Sequence, residues 1–185
     1  MIRLLRLLLL LALVSTVPAL ARQSQWRPVD GPYGGTSVAA LASPEPGVVL
    51  AGTPGGLFRS DDAGQTWAPD GDGLTGAARD VRAILTARDG SVWVGAFGGG
   101  IRRRTEPDGS WRSTGETRAY VHALAEGSRA VYAGTSAGLL RTTDGGGSFM
   151  TQLVNGRNLP VSAVEADGTT VWAGTPEGVY RSLDE

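Results

Sequence analysis

The chain is 185 residues long, carries 17 basic against 18 acidic side chains, and has a formal net charge of −1 at pH 7. That balance argues against nucleic acid as a partner, because phosphate recognition needs a clustered excess of cations. Every basic residue is arginine, cysteine is absent and His122 is the only histidine; Schiff-base lysines, thiol nucleophiles, disulfides and Cys/His metal sites are thereby excluded, and neither a metal nor an organic cofactor is expected.

At the N-terminus, Arg3 and Arg6 precede an unbroken apolar run from Leu7 to Val14, and Pro18-Ala19-Leu20-Ala21 supplies a small-x-small cleavage site. This is the pattern of a secretory signal peptide covering residues 1–21 and cut after Ala21. The run is too short to span a membrane, and no stop-transfer pattern follows. The mature chain is therefore predicted to be exported, to the periplasm or the extracellular space. Loss of Arg3 and Arg6 takes the net charge from −1 to −3.

Past the leader one unit recurs, anchored on Gly52, Gly95, Gly134 and Gly174 at spacings of 43, 39 and 40 residues. Each unit opens on a small or branched strand: Val38-Ala39-Ala40-Leu41, Val81-Arg82-Ala83-Ile84, Val121-His122-Ala123-Leu124 and Val161-Ser162-Ala163-Val164. Turn residues follow at Pro46-Gly47, Asp89-Gly90, Gly127-Ser128 and Asp167-Gly168, then a second strand ending on the anchor glycine. A tight turn leads into a third strand such as Gly56-Leu57-Phe58-Arg59, which is hairpin spacing. Trp67, Trp111 and Phe149 mark an outer fourth strand, and Trp26 keeps step with them.

A period in the low forties built of short strands and tight turns is the signature of β-propeller blades. The predicted fold is all-β, a propeller of four-stranded antiparallel blades at residues 36–76, 80–117, 120–157 and 160–185, with 25–30 as an outer closing strand. The expectation is an incomplete propeller of roughly six to eight blades; the competing arrangement is a four-bladed ring closed by that outer strand.

Two segments carry a finer motif, S/T-x-D-x-G-x-T/S-aromatic. They are Ser60-Asp61-Asp62-Ala63-Gly64-Gln65-Thr66-Trp67 and Thr142-Thr143-Asp144-Gly145-Gly146-Gly147-Ser148-Phe149. The motif resembles the Asp-box, or bacterial neuraminidase repeat, of sialidase-like propellers; it is degraded at Asp108-Gly109-Ser110-Trp111 and cut off at Ser182-Leu183-Asp184. The resemblance implies a structural role for Ser60, Asp62, Gly64, Thr66, Trp67, Thr142, Asp144, Gly146, Ser148 and Phe149. Hydroxyl and carboxylate would hold the N–H groups of a tight turn. Residues 80–103, through Asp89-Gly90, Trp93-Val94-Gly95 and Gly99-Gly100, also resemble the repeat of two-component-regulator propellers, the periplasmic sensor modules of hybrid histidine kinases. Arg102-Arg103-Arg104 reads as a solvated strand end whose members alternate between faces.

At the second position of the opening strand the units differ: Ala39, Arg82, His122 and Ser162. Large polar side chains there need partners or water. Arg82 and His122, with Arg79, Arg118, Tyr120 and Arg157, are predicted to line the mouth of the central channel, a set suited to an anionic or carbohydrate ligand. Without such a ligand, Arg82 and His122 would reach water or bond backbone carbonyls. Asp70, Asp72, Asp80 and Glu116 lie in loops between blades and are read as turn formers. No nucleophile elbow or arginine cluster with an acid and a tyrosine is placed by motif. The predicted function is a non-catalytic binding or scaffold module presenting loops to a glycan, a small anion or a protein partner. The alternatives are part of a sialidase-like or other glycoside hydrolase, and the sensor propeller of a two-component regulator.

Overall fold

The structure is a computed structural model that describes residues 27–29, 31–32, 37–116 and 118–184. The leader expected at residues 1–21 lies outside these, as do residues 25, 26 and 30 of the expected closing strand; residues 27–29 are exposed and belong to no strand.

Among the described residues four antiparallel sheets follow one another in chain order. The first holds β1 (Ala40–Ala42), β2 (Val49–Thr53), β3 (Gly56–Ser60) and β4 (Ala68–Pro69), and the second β5 (Val81–Thr86), β6 (Val92–Ala96), β7 (Gly100–Arg104) and β8 (Arg112–Ser113). The third holds β9 (Val121–Glu126), β10 (Val131–Thr135), β11 (Gly138–Thr142) and β12 (Met150–Gln152). The last holds β13 (Ala163–Asp167), β14 (Thr170–Thr175) and β15 (Gly178–Ser182). Each sheet is a meander with strands in chain order, and the opening strands β1, β5, β9 and β13 pack in succession. This is the all-β propeller architecture that the repeat predicts.

Three cores lie between successive sheets. Leu50 and Leu57 of the first sheet close on Val81, Val92, Val94 and Trp111. Ala83, Trp93 and Ile101 of the second close on Val121, Val131 and Ala133, and Tyr132 and Leu139 of the third on Val161, Val164, Val171 and Ala173. Alternation along each strand sends one set of side chains to the preceding blade and the other to the following one. The anchor glycines are explained by the same packing. A Cβ on Gly52 would stand 2.6 Å from Val81 Cγ1, and one on Gly134 2.9 Å from Val161 Cγ1. Gly95 likewise faces Val121. Each of these three anchors is a notch into which the leading valine of the next blade fits.

The turns after β3 and β11 are held by their own side chains. Ser60 Oγ donates to Asp62 Oδ1 at 2.8 Å and accepts from the Gly64 N–H at 2.8 Å. Asp62 accepts from the Thr66 N–H at 2.8 Å and from Thr66 Oγ1 at 2.6 Å, and Trp67 Nε1 donates to the Gly64 carbonyl at 3.1 Å. Thr142, Asp144, Gly146 and Ser148 repeat the pattern at 2.7 to 3.0 Å, while Phe149 packs against the core between the second and third sheets.

The arginine run is not a solvated strand end. Arg104 is 4% exposed, its Nη1 donates to Asp70 Oδ1 at 2.6 Å, and its guanidinium lies 4.4 Å from the centre of the Trp111 ring. Arg103 crosses to the next blade and donates to the Gly145 carbonyl at 3.1 Å while pairing with Asp89 at 2.6 Å. The blades pack so closely that both faces of β7 are covered, so alternation delivers these side chains to neighbours instead of to water.

Candidate functional site

The end of the blades that carries the β6–β7 and β10–β11 turns also carries the departures from the repeat. The register of β5 shifts between Val81 and Ala83, and that of β9 between Val121 and Ala123. Arg82 and His122 are thus the extra residues of two β-bulges, a device that re-aims a side chain out of the ladder. In the first and last sheets the equivalent positions hold Ala39 and Ser162, which precede the first paired residue of their strands.

Between the two bulges lies the β6–β7 turn. It spans three residues, Phe97-Gly98-Gly99, where the other three hairpins have two. Those others are latched by a threonine: Thr53, Thr135 and Thr175 each donate to the carbonyl of the glycine that opens the next strand, at 2.8 to 3.0 Å. Ala96 stands at that place here and has no hydroxyl. Gly98 adopts a φ of +84°, and a Cβ on it would sit 3.1 Å from Tyr120 Cε1. Only glycine lets the turn carry Phe97 against Tyr120.

A contiguous cluster results. The rings of Phe97 and Tyr120 meet edge-on, 4.7 Å between centres and 65° between planes. His122 lies 6.4 Å from Phe97 and its Nε2 is 2.8 Å from Ser136 Oγ. The Arg82 guanidinium stands 5.5 Å from the Phe97 ring, gripped by Asp80 at 2.6 and 3.1 Å. Phe97 is 44% and Tyr120 49% exposed, so an aromatic face flanked by a cation and an imidazole opens to solvent.

Of the residues singled out from sequence, Arg82, Tyr120 and His122 come together here. Arg79, Arg118 and Arg157 make no hydrogen bond, ion pair or ring contact with the cluster among the described residues. Arg79 Nε donates to the Leu74 carbonyl at 3.3 Å. Arg118 offers its backbone N–H to Glu116 at 2.7 Å and leaves its side chain in solvent. Arg157 pairs with Glu177; that ion pair raises the arginine and lowers the carboxylate from their ordinary pKa values. The loop carboxylates are engaged as well: Asp70 by Arg104, Asp72 by Ser110, Asp80 by Arg82, and Glu116 by the Arg118 and Ala119 N–H groups. Phe97 escaped sequence reasoning. Its signal was the one-residue-longer turn with an aromatic where the other units have Pro54, Ser136 and Pro176. Among the described residues no group of three or more His, Asp or Glu side chains is placed to hold a metal ion, and no helix is long and apolar enough to cross a membrane.

Comparison with solved structures agrees with the fold. The computationally designed Ika4 protein superposes with a TM-score of 0.65 at 18% identity, covering 87% of this chain and 99% of its own. The extracellular domain assigned to a hybrid two component system of B. thetaiotaomicron gives 0.66 at 18% identity, over 79% of this chain and 21% of that one. An ancestral GH74 enzyme gives 0.60 at 14% identity, over 74% and 21%. The chain therefore spans about a fifth of these last two proteins. No family model matches the chain, and no curated protein does. At such identities the likeness is one of fold: the described residues form four β-propeller sheets, of the kind found both in sensor domains and in enzymes.

Proposed function

We propose that the chain is an exported, non-catalytic binding module whose Phe97–Tyr120 face takes a glycan. The observation that carries the reading is the pair of half-exposed, edge-packed aromatic rings between two bulges. Ligand sites combine apolar and aromatic surface with a few placed polar groups. A sugar ring presents C–H faces to the aromatics, while His122, Ser136 and Arg82 are within the same patch to meet its hydroxyls. Because Asp80 already neutralises Arg82, a small anion gains less there than a polyol does. The loop carboxylates already have partners within the chain, which favours binding over glycoside hydrolysis. Export rests on the leader pattern of residues 1–21, and the paired S/T-x-D-x-G turns support reading them as Asp-boxes, structural elements away from the binding face.

Calorimetric titration with cellohexaose, chitohexaose, xylohexaose and sialyllactose tests this directly. Binding of at least one probe is expected, weakened about tenfold or more in a Phe97→Ala/Tyr120→Ala double variant, a loss of ~1.4 kcal/mol or more. Absence of binding by all four, or binding that the double variant leaves unchanged, overturns the reading.

A further inference from the structure

Arg102 breaks the repeat in a way that ion pairing does not explain. At its place in the third strand the other sheets hold Phe58, Leu140 and Tyr180, so a cation stands where the repeat has an apolar or aromatic side chain. Arg59, Arg103 and Arg104, on the third strands of the first two sheets, each meet a carboxylate at 2.6 or 2.7 Å. Arg102 is half-buried and meets none among the described residues. Burial pushes its pKa below the ordinary arginine value, with no neighbouring charge to offset that cost. Its Nη1 donates instead to two backbone carbonyls, those of Gly99 at 3.0 Å and Ile101 at 3.2 Å.

Gly99 ends the turn that carries Phe97. In the other three hairpins the threonine hydroxyl ties both arms: besides donating across the turn, Thr53, Thr135 and Thr175 accept the N–H groups of Gly55, Ala137 and Glu177 at 3.1 Å. Ala96 can do neither. The peptide after Gly99 is rotated as well, since Gly100 has a φ of +70° where Gly56, Gly138 and Gly178 have +148°, +132° and +122°. The Gly99 carbonyl, which that peptide carries, is the one that Arg102 holds. Elsewhere the turn is fixed by the Phe97 N–H, which donates to the Asp80 carbonyl at 2.8 Å, and by Gly99, which packs on Ala78 with no room for a Cβ.

We propose that Arg102 latches this turn, in the part that threonine plays in the other hairpins, and so fixes Phe97 against Tyr120. Arg102 is a positioning residue: it acts on the ligand only through Phe97. The inference rests on the Phe97–Tyr120 face being the binding face, and it names what holds that face in shape. A guanidinium donating to a carbonyl makes a charge-assisted bond, stronger than that of a neutral hydroxyl. That strength suits a turn one residue longer, which has more conformational freedom to lose. A turn ordered before the ligand arrives spares binding that cost.

Tyrosine rings labelled with carbon-13 report the contact by NMR, because the ring current of Phe97 displaces the Tyr120 signals at the observed 4.7 Å. Tyr120→Phe assigns those signals, and Phe97→Ala gives their position without the contact. Arg102→Leu installs the side chain that the third sheet has at Leu140. It is expected to move the Tyr120 signals most of the way to the Phe97→Ala position while those of Tyr132, in the core, stay in place. Arg102→Lys, which keeps a cationic donor, should move them less. Arg102→Gln, polar but too short to reach Gly99, repeats the measurement if the leucine variant does not fold. Whichever of the four glycan probes binds the unaltered chain should bind Arg102→Leu about threefold or more weakly. Tyr120 signals that stay in place in the leucine and glutamine variants overturn the proposal. So do Tyr132 signals that move with them in both, because Arg102 would then serve the core, and so does unchanged affinity where the Tyr120 signals have moved. Tyr120 signals that move as expected in a chain that binds none of the probes uphold the latch and remove only the glycan reading.

Discussion

The turn after β7 and the turns after β3 and β11 have the same length, seven residues from the last strand residue to the aromatic at Trp111, Trp67 or Phe149. In each, the last strand residue is polar and buried: Arg104 at 4%, Ser60 at 1% and Thr142 at 3% exposed. The turns differ in where the partner comes from. Ser60 and Thr142 find theirs within four residues, in a carboxylate and a glycine N–H of the same turn. Arg104 is too long to do so. It reaches back to Asp70, in the chain segment that leaves the first blade, and stacks on Trp111. Glu106, at the position of Asp62 and Asp144, holds no side-chain hydrogen bond among the described residues. A buried polar position must be satisfied, and this fold satisfies it either locally or by tying two blades together.

Breaking the tie between blades is expected to cost most. Arg104→Met leaves the Asp70 carboxylate largely enclosed without its paired cation, and removing one partner of a buried pair costs about 3–5 kcal/mol. Chemical denaturation should show the midpoint falling by that margin, with Trp111 fluorescence changing because its ring loses the guanidinium. The pair is not ideal, since Asp70 Oδ2 and Arg104 Nε have no hydrogen-bond partner among the described residues. A measured loss below ~1 kcal/mol would mean that water already replaces the ion pair. Breaking a local turn is expected to cost less. Thr142→Ala strands the buried Gly146 N–H and removes one donor to Asp144; an unsatisfied buried donor costs about 1–3 kcal/mol. Ser60→Ala should match it, and a disagreement between the two would show that the turns are not equivalent.

That contrast also explains what could be read in advance. Period, strand order and the two complete turns were legible because each is a local pattern: glycine at fixed spacing, branched residues in short runs, hydroxyl and carboxylate two residues apart. The arginine run was misread because the partner of Arg104 lies 34 residues away in sequence, and no spacing rule announces it. Aligning third strands on their distance from the aromatic would have placed Arg104 on the buried position of Ser60 and Thr142. At the candidate site, Arg82 and His122 were visible as large polar residues in small-residue strands. The bulges that turn them outward arise from sheet register, so the joining of Arg82 to Phe97 emerged only in three dimensions. The three remaining arginines were chosen for sharing a loop end, which places residues on one side of a propeller without bringing them into contact.

The smallest effect separates the two kinds of turn by pH. Thr66, through its hydroxyl and its N–H, and then Ser60 hold the Asp62 carboxyl down from 3.8 to about 2. The Ser148 N–H and hydroxyl hold Asp144 lower still. A carboxylate held below its unfolded value makes the folded chain bind protons less readily than the unfolded one. Its stabilisation is therefore complete above the unfolded value near pH 4 and is lost as pH falls through the folded value. Thermal melts from pH 5 down to pH 2 should show the unaltered chain losing stability across that window. Asp62→Asn and Asp144→Asn should each start lower at pH 5 and decline less steeply. Both carboxylates are on the protein surface, so salt and water screen the effect and it should rank below the Arg104 and Thr142 losses. Slopes in both variants as steep as that of the unaltered chain would place the acid sensitivity elsewhere, and the carboxylates of these two turns would then be no more than partners for their hydroxyls.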